Sequence, residues 1–538
     1  MSKLSLGLDF GTESVRAILV DLDGNILGSS SVNYKHGQIT DALPTSGEKL
    51  PHDFALQHPQ DWLDDSITAV QNVLKETGAN PDDIIGVGVD FTSCTMLPAK
   101  ADGTPLCLIP ELESNFFAWP KLWKHHGAVS QTDRFNEIAI QRNEDWLKRY
   151  GNVIGLEWFF PKILETLEEA PDIYKQTDVW LEAGDWYTWQ LVGAGNETPA
   201  ANTPRSTCIA GYKALWNGQS GYPSPEYLEA VNPNLKNVVS EKMPGKLTAP
   251  GQSVGNLCNK IASAFGIPAG IPVSAAIIDA HSGVPGVGAS EPGDLVMVMG
   301  TSSCHMLNSD AEHFVPGVAG VVDGGILPGF FGYETGQAAV GDAFAWLRNL
   351  LGHTDFKQLD KQASEIAPGS NGVCVLDWFN GCRTPLMDGR LKGSIHGLTL
   401  NNSAADVYRA TLEASAFGFR WIVDVLRESD VPVNKLIATG GLPHHNPLLV
   451  QIYADVMGQP IEINPETQAP ALGAAILGAF AAGPETSGFT TISDAITHMT
   501  SKQPSSTVIQ PNLDHHQQYN DLYKNYRTLA DQQSANTS

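Results

Sequence analysis

The first ninety residues alternate between two hydrophobic periods. Leu4 to Phe10 is apolar with polar interruptions, Gly11-Thr12-Glu13-Ser14 breaks it, and Val15 to Val20 resumes a β-rich run that stops at Asp21-Leu22-Asp23-Gly24. Short apolar runs bounded by Gly, Asp and Ser predict strand, turn, strand, turn, strand. The period then lengthens. His58-Pro59-Gln60-Asp61 has the composition of a helix start, and Leu63, Ile67, Val70 and Leu74 follow at helical spacing before Ile84 to Phe91, another buried strand. Strand and helix alternating from the outset predict an α/β architecture.

Residues 110–250 are rich in Trp, Pro and polar residues with weak periodicity, so helices and long excursions are expected there. Regularity returns at Ile271 to Ile278, read as a strand ending at Asp279, and at Leu295 to Met299, a strand broken by Gly300-Thr301-Ser302-Ser303. Beyond it the pattern predicts helices over 338–351 and 404–427, a strand from Lys435 to Ala438, a helix after Asn446 and a final apolar helix over 471–482. One long-range echo stands out. Leu6 to Ser14 and Val296 to Ser303 are both an apolar strand opening into G-T-x-S. The chain is therefore divided into an N-terminal domain, 1–288, and a C-terminal domain, 289–538.

Charge narrows the partners. With 33 Lys and Arg against 59 Asp and Glu the net charge is −26, and no basic stripe offsets it, which argues against nucleic acid. No apolar run is long enough to cross a bilayer and no leader pattern opens the chain, so no membrane partner and a cytoplasmic location are expected. The seven Cys form an odd set without C-x-x-C spacing, against a disulfide framework or a thiolate zinc site.

A Gly-Thr-Ser turn after a strand presents backbone N–H groups and hydroxyls without bulk between them, which suits the oxygens of a polyphosphate. Singly, such a turn is as readily structural; two of them, one per half, can hold one nucleotide between domains. Arg16 can reach phosphate or pair with a neighbouring carboxylate. Asp9-Phe10-Gly11 spells a protein-kinase triplet without the motifs that precede it in those enzymes, but its Asp can still serve Mg²⁺. Asp279 follows eight residues of Pro, Val, Ser, Ala and Ile only, so it belongs at a strand end, where α/β sheets bind ligands. It can accept a hydroxyl proton there or cap the next helix. Gly440-Gly441 permits close backbone approach of a flat ligand, or is a plain turn. His444-His445 lacks the spacing of a metal site.

Taken together, these residues resemble the FGGY carbohydrate kinases, of the superfamily of actin, hexokinase and the heat-shock-chaperone ATPases. The first phosphate hairpin of that family resembles Asp9 to Arg16, including Gly11, Thr12 and Ser14, and the second resembles Gly300, Thr301 and Ser302. Its adenosine turn resembles Gly440 to Asn446, and a C-terminal signature resembles Gly393-Ser394-Ile395-His396-Gly397-Leu398 with Asp406 and Glu413. Within the family the likeness is greatest to the L-ribulose-phosphorylating branch of arabinose breakdown, through Asp90 to Thr95, Glu157-Trp158-Phe159, Ala210 to Trp216 and Leu376 to Pro385.

The resemblance implies an actin-like, ribonuclease H-like two-domain ATPase fold with a catalytic cleft between domains, ATP and Mg²⁺ as cofactors, and possible homodimers. It implies that Asp279 is the general base, that Ser93, Lys213 and Glu334 contact the sugar, that Gln337 and Gly341 flank the nucleotide, and that Asp9 serves the metal. His125 stands where the family usually carries an Asp. The expected reaction is ATP-dependent phosphorylation of ribulose at the 5-hydroxyl. A kinase for another ketose or polyol, or a chaperone-like ATPase switch, uses the same hairpins.

Overall fold

Leu4, Leu6, Leu8 and Phe10, the apolar positions of the opening run, are buried in strand β1 (Leu4–Phe10). The chain returns antiparallel as β2 (Ser14–Asp21) and again as β3 (Ile26–Asn33). Helix α1 (Pro59–Thr77) follows, capped by His58, whose Nδ1 accepts from the Gln60 N–H, and closed by Gly78 in the left-handed region. It delivers β4 (Ile84–Phe91) parallel to β1. This computed structural model describes residues 3–352 and 355–537.

The buried face of α1 is turned from the expected stripe. Trp62, Ser66, Ala69, Val70 and Val73 are buried, while Leu63, Ile67 and Leu74 are only partly so. The indole of Trp62 sits edge-on to Phe91 and Trp186, with ring centroids 5.2 and 5.7 Å away, and the largest apolar side chain takes the centre of the face. Trp119, Trp158, Trp180, Trp186 and Trp189 are likewise core.

The first sheet is completed by β5 (Ser253–Asn256), β6 (Pro272–Ser274) and β7 (Ile277–Ile278), in the order β3-β2-β1-β4-β6-β5 with β7 also on β4. Here the expected single strand from Ile271 to Ile278 is two. Ser274 Oγ accepts from the Gly251 N–H, and the Ala275 N–H bonds the Gln252 carbonyl, so the ladder breaks and re-forms with Ile277 beside Asp90 and Ile278 beside Phe91. Helix α2 (Thr207–Lys213) precedes this region, and helix α3 (Asp279–Gly286) begins directly after β7.

The second sheet repeats the plan. Strands β8 (Asp294–Met299) and β9 (Ser303–Ser309) form a hairpin extended by β10 (Gly320–Asp323) and β11 (Phe331–Gln337). Helix α4 (Gly341–Leu350) starts three residues later than expected, because the Val340 and Gly341 N–H groups bond the Thr301 and Gly300 carbonyls instead. After α5 (Ala404–Glu428) comes β12 (Lys435–Thr439), parallel to β8 as β4 is to β1. Helix α6 (Pro447–Met457), β13 (Ile461–Ile463) and β14 (Thr507–Ile509) finish an order β10-β11-β9-β8-β12-β13-β14. In each sheet an antiparallel hairpin pairs its first strand in parallel with a later one, the duplicated two-lobe α/β plan of the actin-like fold.

Helix α7 (Ala469–Ala481) is distant in sequence from the first sheet but packs against it. Glycines let it approach. A Cβ on Gly7, Gly86 or Gly88 would stand 2.3, 2.0 or 1.7 Å from a carbonyl oxygen of α7, and Ser5 Oγ donates to the Ala475 carbonyl at 2.6 Å. A helix as long as α5, Leu513–Thr537, lies later in the chain. Among the described residues no helix is long and apolar enough to cross a membrane, and all seven cysteines are free.

Candidate active site between the two sheets

Each sheet carries one hairpin turn of the same kind, at the end of the strand that pairs in parallel with β4 or β12. In the first, the Gly11 N–H closes on the Ser14 carbonyl at 3.0 Å, and Asp9 and Arg16 are cross-strand partners joined by a 3.3 Å ion pair. The Tyr34 hydroxyl donates to the Gly11 carbonyl, Gln57 Nε2 to the Thr12 carbonyl and Trp123 Nε1 to Thr12 Oγ1, so the turn is held from three sides. In the second, the Gly300 N–H closes on the Ser302 carbonyl at 2.9 Å, and the start of α4 clasps its outer carbonyls. Gly341 is required there, since a Cβ would lie 2.6 Å from the Gly300 carbonyl oxygen.

Asp279 is the first residue of α3, not its N-cap; Ile278 holds that place. Its Oδ1 accepts from the Ala280 N–H at 2.7 Å. Burial pushes its pKa up to about 7, against the pull of that N–H, and Asp9 adds to the rise. Close by, Glu334 on β11 receives Lys213 Nζ from the end of α2 at 3.2 Å and Arg383 Nη2 at 2.6 Å. Burial alone would raise the Glu334 pKa, but the two cations outweigh it and hold it down to about 2. Burial likewise opposes the Lys213 charge, and Glu334, with Cys94 and Glu157 adding to it, holds the pKa above the ordinary lysine value. The cluster therefore keeps its charges paired within the fold. Ser93 lies half-buried in the turn after β4, whose last residue, Phe91, is the register partner of Ile278, next to Asp279.

Asp9 and Asp90 are register partners on β1 and β4. Asp90 is fully buried, neither of its carboxylate oxygens is hydrogen-bonded among the described residues, and burial, then Asp9 and Asp279, push its pKa far up. The Asp9 pKa is raised by burial, with Arg16 opposing. Two crowded carboxyls short of donors form a hard-oxygen set.

A largely apolar pocket of about 470 Å³ opens beside these groups. Ala280 and Gly283 of α3 form one wall, Ala469 and Pro470 of α7 another, and Val298, Thr439, Gly440 and Gly441 the third. Gly440 (φ 91°) is needed because a Cβ would stand 2.5 Å from the Met299 carbonyl oxygen.

Two expected site residues point elsewhere. Asn446 caps α6 through its Oδ1, and its amide donates to Asp360 and the Tyr408 hydroxyl. Gln337 donates to Asp377 and the Ser415 carbonyl. Both side chains are thus committed within the second lobe. Sequence reasoning passed over Asp90, Arg383 and His281 as individual residues. Asp90 carried a signal, a carboxylate in an otherwise apolar strand; Arg383 carried none, because its partner is 49 positions away. His125, at the unusual position, is buried with Nε2 bonded to Glu165 at 2.8 Å. His36, His58 and Asp61 bring ligand atoms within 4.8 Å of one another. Their imidazoles stack at 17°, however, so their lone pairs run side by side, and His36 Nδ1 bonds Asp61 at 2.8 Å.

A Gly-Thr hairpin on each sheet, an apolar pocket between the lobes with room for a purine, and a buried carboxylate beside a charged polar cluster make the layout of an ATP-dependent sugar kinase. Residues 4–286 match the N-terminal domain and residues 295–482 the C-terminal domain of the FGGY family of carbohydrate kinases, and the chain belongs to that family. It is 45% identical to the ribulokinase of Geobacillus thermodenitrificans, over 98% of this chain and 94% of that protein. To the ribulokinase of Halalkalibacterium halodurans it is 42% identical, over 98% and 95%. The fold matches the xylulose kinase of Rhodospirillum rubrum with a TM-score of 0.79 at 20% identity, covering 98% of this chain and 99% of that one. It also matches the Plasmodium falciparum glycerol kinase with ADP, at a TM-score of 0.80 and 17% identity, over 99% and 98%.

Proposed function

We propose that the chain transfers the γ-phosphoryl group of ATP to the 5-hydroxyl of L-ribulose. The observation that carries this reading is α3. Its Ala280 and Gly283 line the apolar pocket while Asp279, on the same turn, lies within electrostatic reach of Lys213 and Glu334. One helix thus links a nucleotide seat to a sugar-binding cluster, and the ribulokinase relatives, aligned over nearly the whole chain, supply the sugar.

The adenosine moiety occupies the pocket, and the backbone N–H groups and hydroxyls of Thr12, Ser14, Thr301 and Ser302 cradle the phosphates. Asp9, with Asp90 behind it, is the donor set suited to Mg²⁺, which when bound neutralises phosphate charge. Ser93, Lys213 and Glu334 orient ribulose. Asp279 takes the O5 proton as O5 attacks the γ-phosphorus, and the bond to the bridging oxygen of ADP breaks. Paired charges in the sugar cluster present hydrogen bonds to hydroxyls without net charge, as a neutral substrate requires.

ADP release measured across L-ribulose, D-ribulose, D-xylulose, ribitol and glycerol tests the substrate. The highest kcat/KM is expected with L-ribulose; a higher value with xylulose or glycerol overturns it, and ATP turnover indifferent to every sugar points to a switch instead.

Two further outcomes are expected. A carboxylate base works only when ionised, so kcat/KM for ribulose should climb as pH rises through about 7 and level off above it. A pH profile already flat below 6 contradicts the role of Asp279. In Lys213→Ala, the ribulose KM should rise roughly 10- to 100-fold, the loss of one charged hydrogen bond, while the ATP KM changes little. Equal losses for both ligands rule out a sugar contact.

A further inference from the structure

His281 stands two residues past Asp279 in the first turn of α3 and is 1% exposed. Its ring lies against Tyr212, with centroids 4.4 Å apart, and its Nε2 is 3.5 Å from Glu334 Oε2. Among the described residues neither ring nitrogen has a hydrogen-bond partner. A buried imidazole left wholly unpaired is disfavoured, and such orphans in folded proteins call for a reason beyond packing. An apolar side chain of similar size would fill this position at lower free energy if filling were its purpose.

The reason lies in what surrounds Glu334. Its Oε1 is taken by Arg383, and its Oε2 by Lys213 at 3.2 Å. His281 stands just outside hydrogen-bonding distance of that same Oε2. Each carboxylate oxygen accepts more than one hydrogen bond, so Oε2 has capacity for a second donor. The donor already there, Lys213, is the group that the ribulose reading gives to the sugar. An ammonium carries three hydrogens, and the one Lys213 spends on Glu334 becomes available to a sugar hydroxyl once another donor takes its place at Oε2.

Building on the ribulose reading, we propose that His281 is a positioning residue: when the sugar enters, its Nε2–H engages Glu334 Oε2 and holds that carboxylate, so that the Lys213 hydrogen now spent there can turn, with the other two, to the sugar hydroxyls. A neutral imidazole suits this task because it adds a donor without adding a charge. The cations Lys213 and Arg383 already face the anions Glu334 and Asp279, and a third cation would unbalance them. Burial favours the neutral ring.

The test compares His281→Met, which removes the donor at similar volume, with His281→Gln, whose amide restores one near the Nε2 position. Wild-type ADP release with L-ribulose is read first; absence of turnover there removes both the substrate assignment and this role. Given wild-type turnover, His281→Met is expected to raise the ribulose KM about tenfold or more, as for one lost hydrogen bond to a charged group. The ATP KM should stay within about twofold, and the thermal midpoint should hold or rise because two unpaired buried nitrogens are gone. His281→Gln should recover most of the ribulose KM. The role is overturned if the Met variant binds ribulose as the wild type does. It is equally overturned if Gln is no better than Met, or if ribulose KM, ATP KM and thermal midpoint all deteriorate together, the mark of a merely structural histidine.

Discussion

Asp279→Asn is expected to cut turnover by roughly 10²- to 10⁴-fold, the usual range for a lost general base, while ATP and ribulose still bind. The substitution is close to isosteric. An asparagine oxygen can keep the bond from the Ala280 N–H that Asp279 Oδ1 accepts, so the start of α3 should hold its shape. What disappears is the ability to take a proton. A primary hydroxyl is far too weak an acid to be alkoxide near neutrality, and Asp279, with its pKa lifted to about 7, is tuned to the working pH as a general base should be. Replacing it also removes one of the carboxylates that crowd Asp90, so nucleotide affinity should not fall. Calorimetric titration with each ligand beside steady-state kinetics decides the matter. A variant that keeps kcat within about tenfold of the wild type ends the assignment.

Gly88→Val is expected to be the most damaging single substitution to the fold, destabilising it by about 4 kcal/mol or more. Its first added carbon would fall 1.7 Å from the Ala474 carbonyl oxygen and 2.9 Å from the Gly478 nitrogen, both backbone atoms of α7. Neither can rotate aside. The helix would have to leave the first sheet, exposing Ala471, Leu472, Ala475 and Ile476, which are buried. Denaturant unfolding should show the loss. Gly389→Ala, where an added carbon meets nothing within 4 Å, serves as the matched control and should leave the midpoint in place. Equal midpoints for both variants contradict the direct backbone contact.

The hairpins were legible in the sequence because their requirement is local: Gly, Thr and Ser between two β-rich runs describe one turn. The same holds for Asp279, marked by the apolar run before it. Other features depended on residues far away. Ser274 splits its strand by bonding Gly251, and Trp62 turns α1 through partners on β4 and near residue 186. Asn446 and Gln337 occupy plausible positions in the chain, yet their side chains serve Asp360, Tyr408, Asp377 and Ser415. No local pattern tells which way such an amide turns. The sugar cluster is the extreme case, since Lys213, Glu334 and Arg383 meet only after both sheets are assembled, and only the resemblance pointed to the first two.

The seat of α7 against the first sheet has a consequence for how the two ligands influence each other. Through Gly7, Gly86 and Gly88 the helix rides on the first lobe, and Gly286 of α3 lies against its first turn, so the walls made by Ala280, Gly283, Ala469 and Pro470 move as one jaw. The opposing jaw, Val298, Thr439 and Gly440, belongs to the second lobe. On the proposed reading, a purine held between them and a sugar bridging Asp279 and Glu334 both span the same two lobes. Any change in the lobes that one ligand favours is then felt by the other, and whatever factor adenine adds to the affinity for the pentulose, the pentulose returns to adenine.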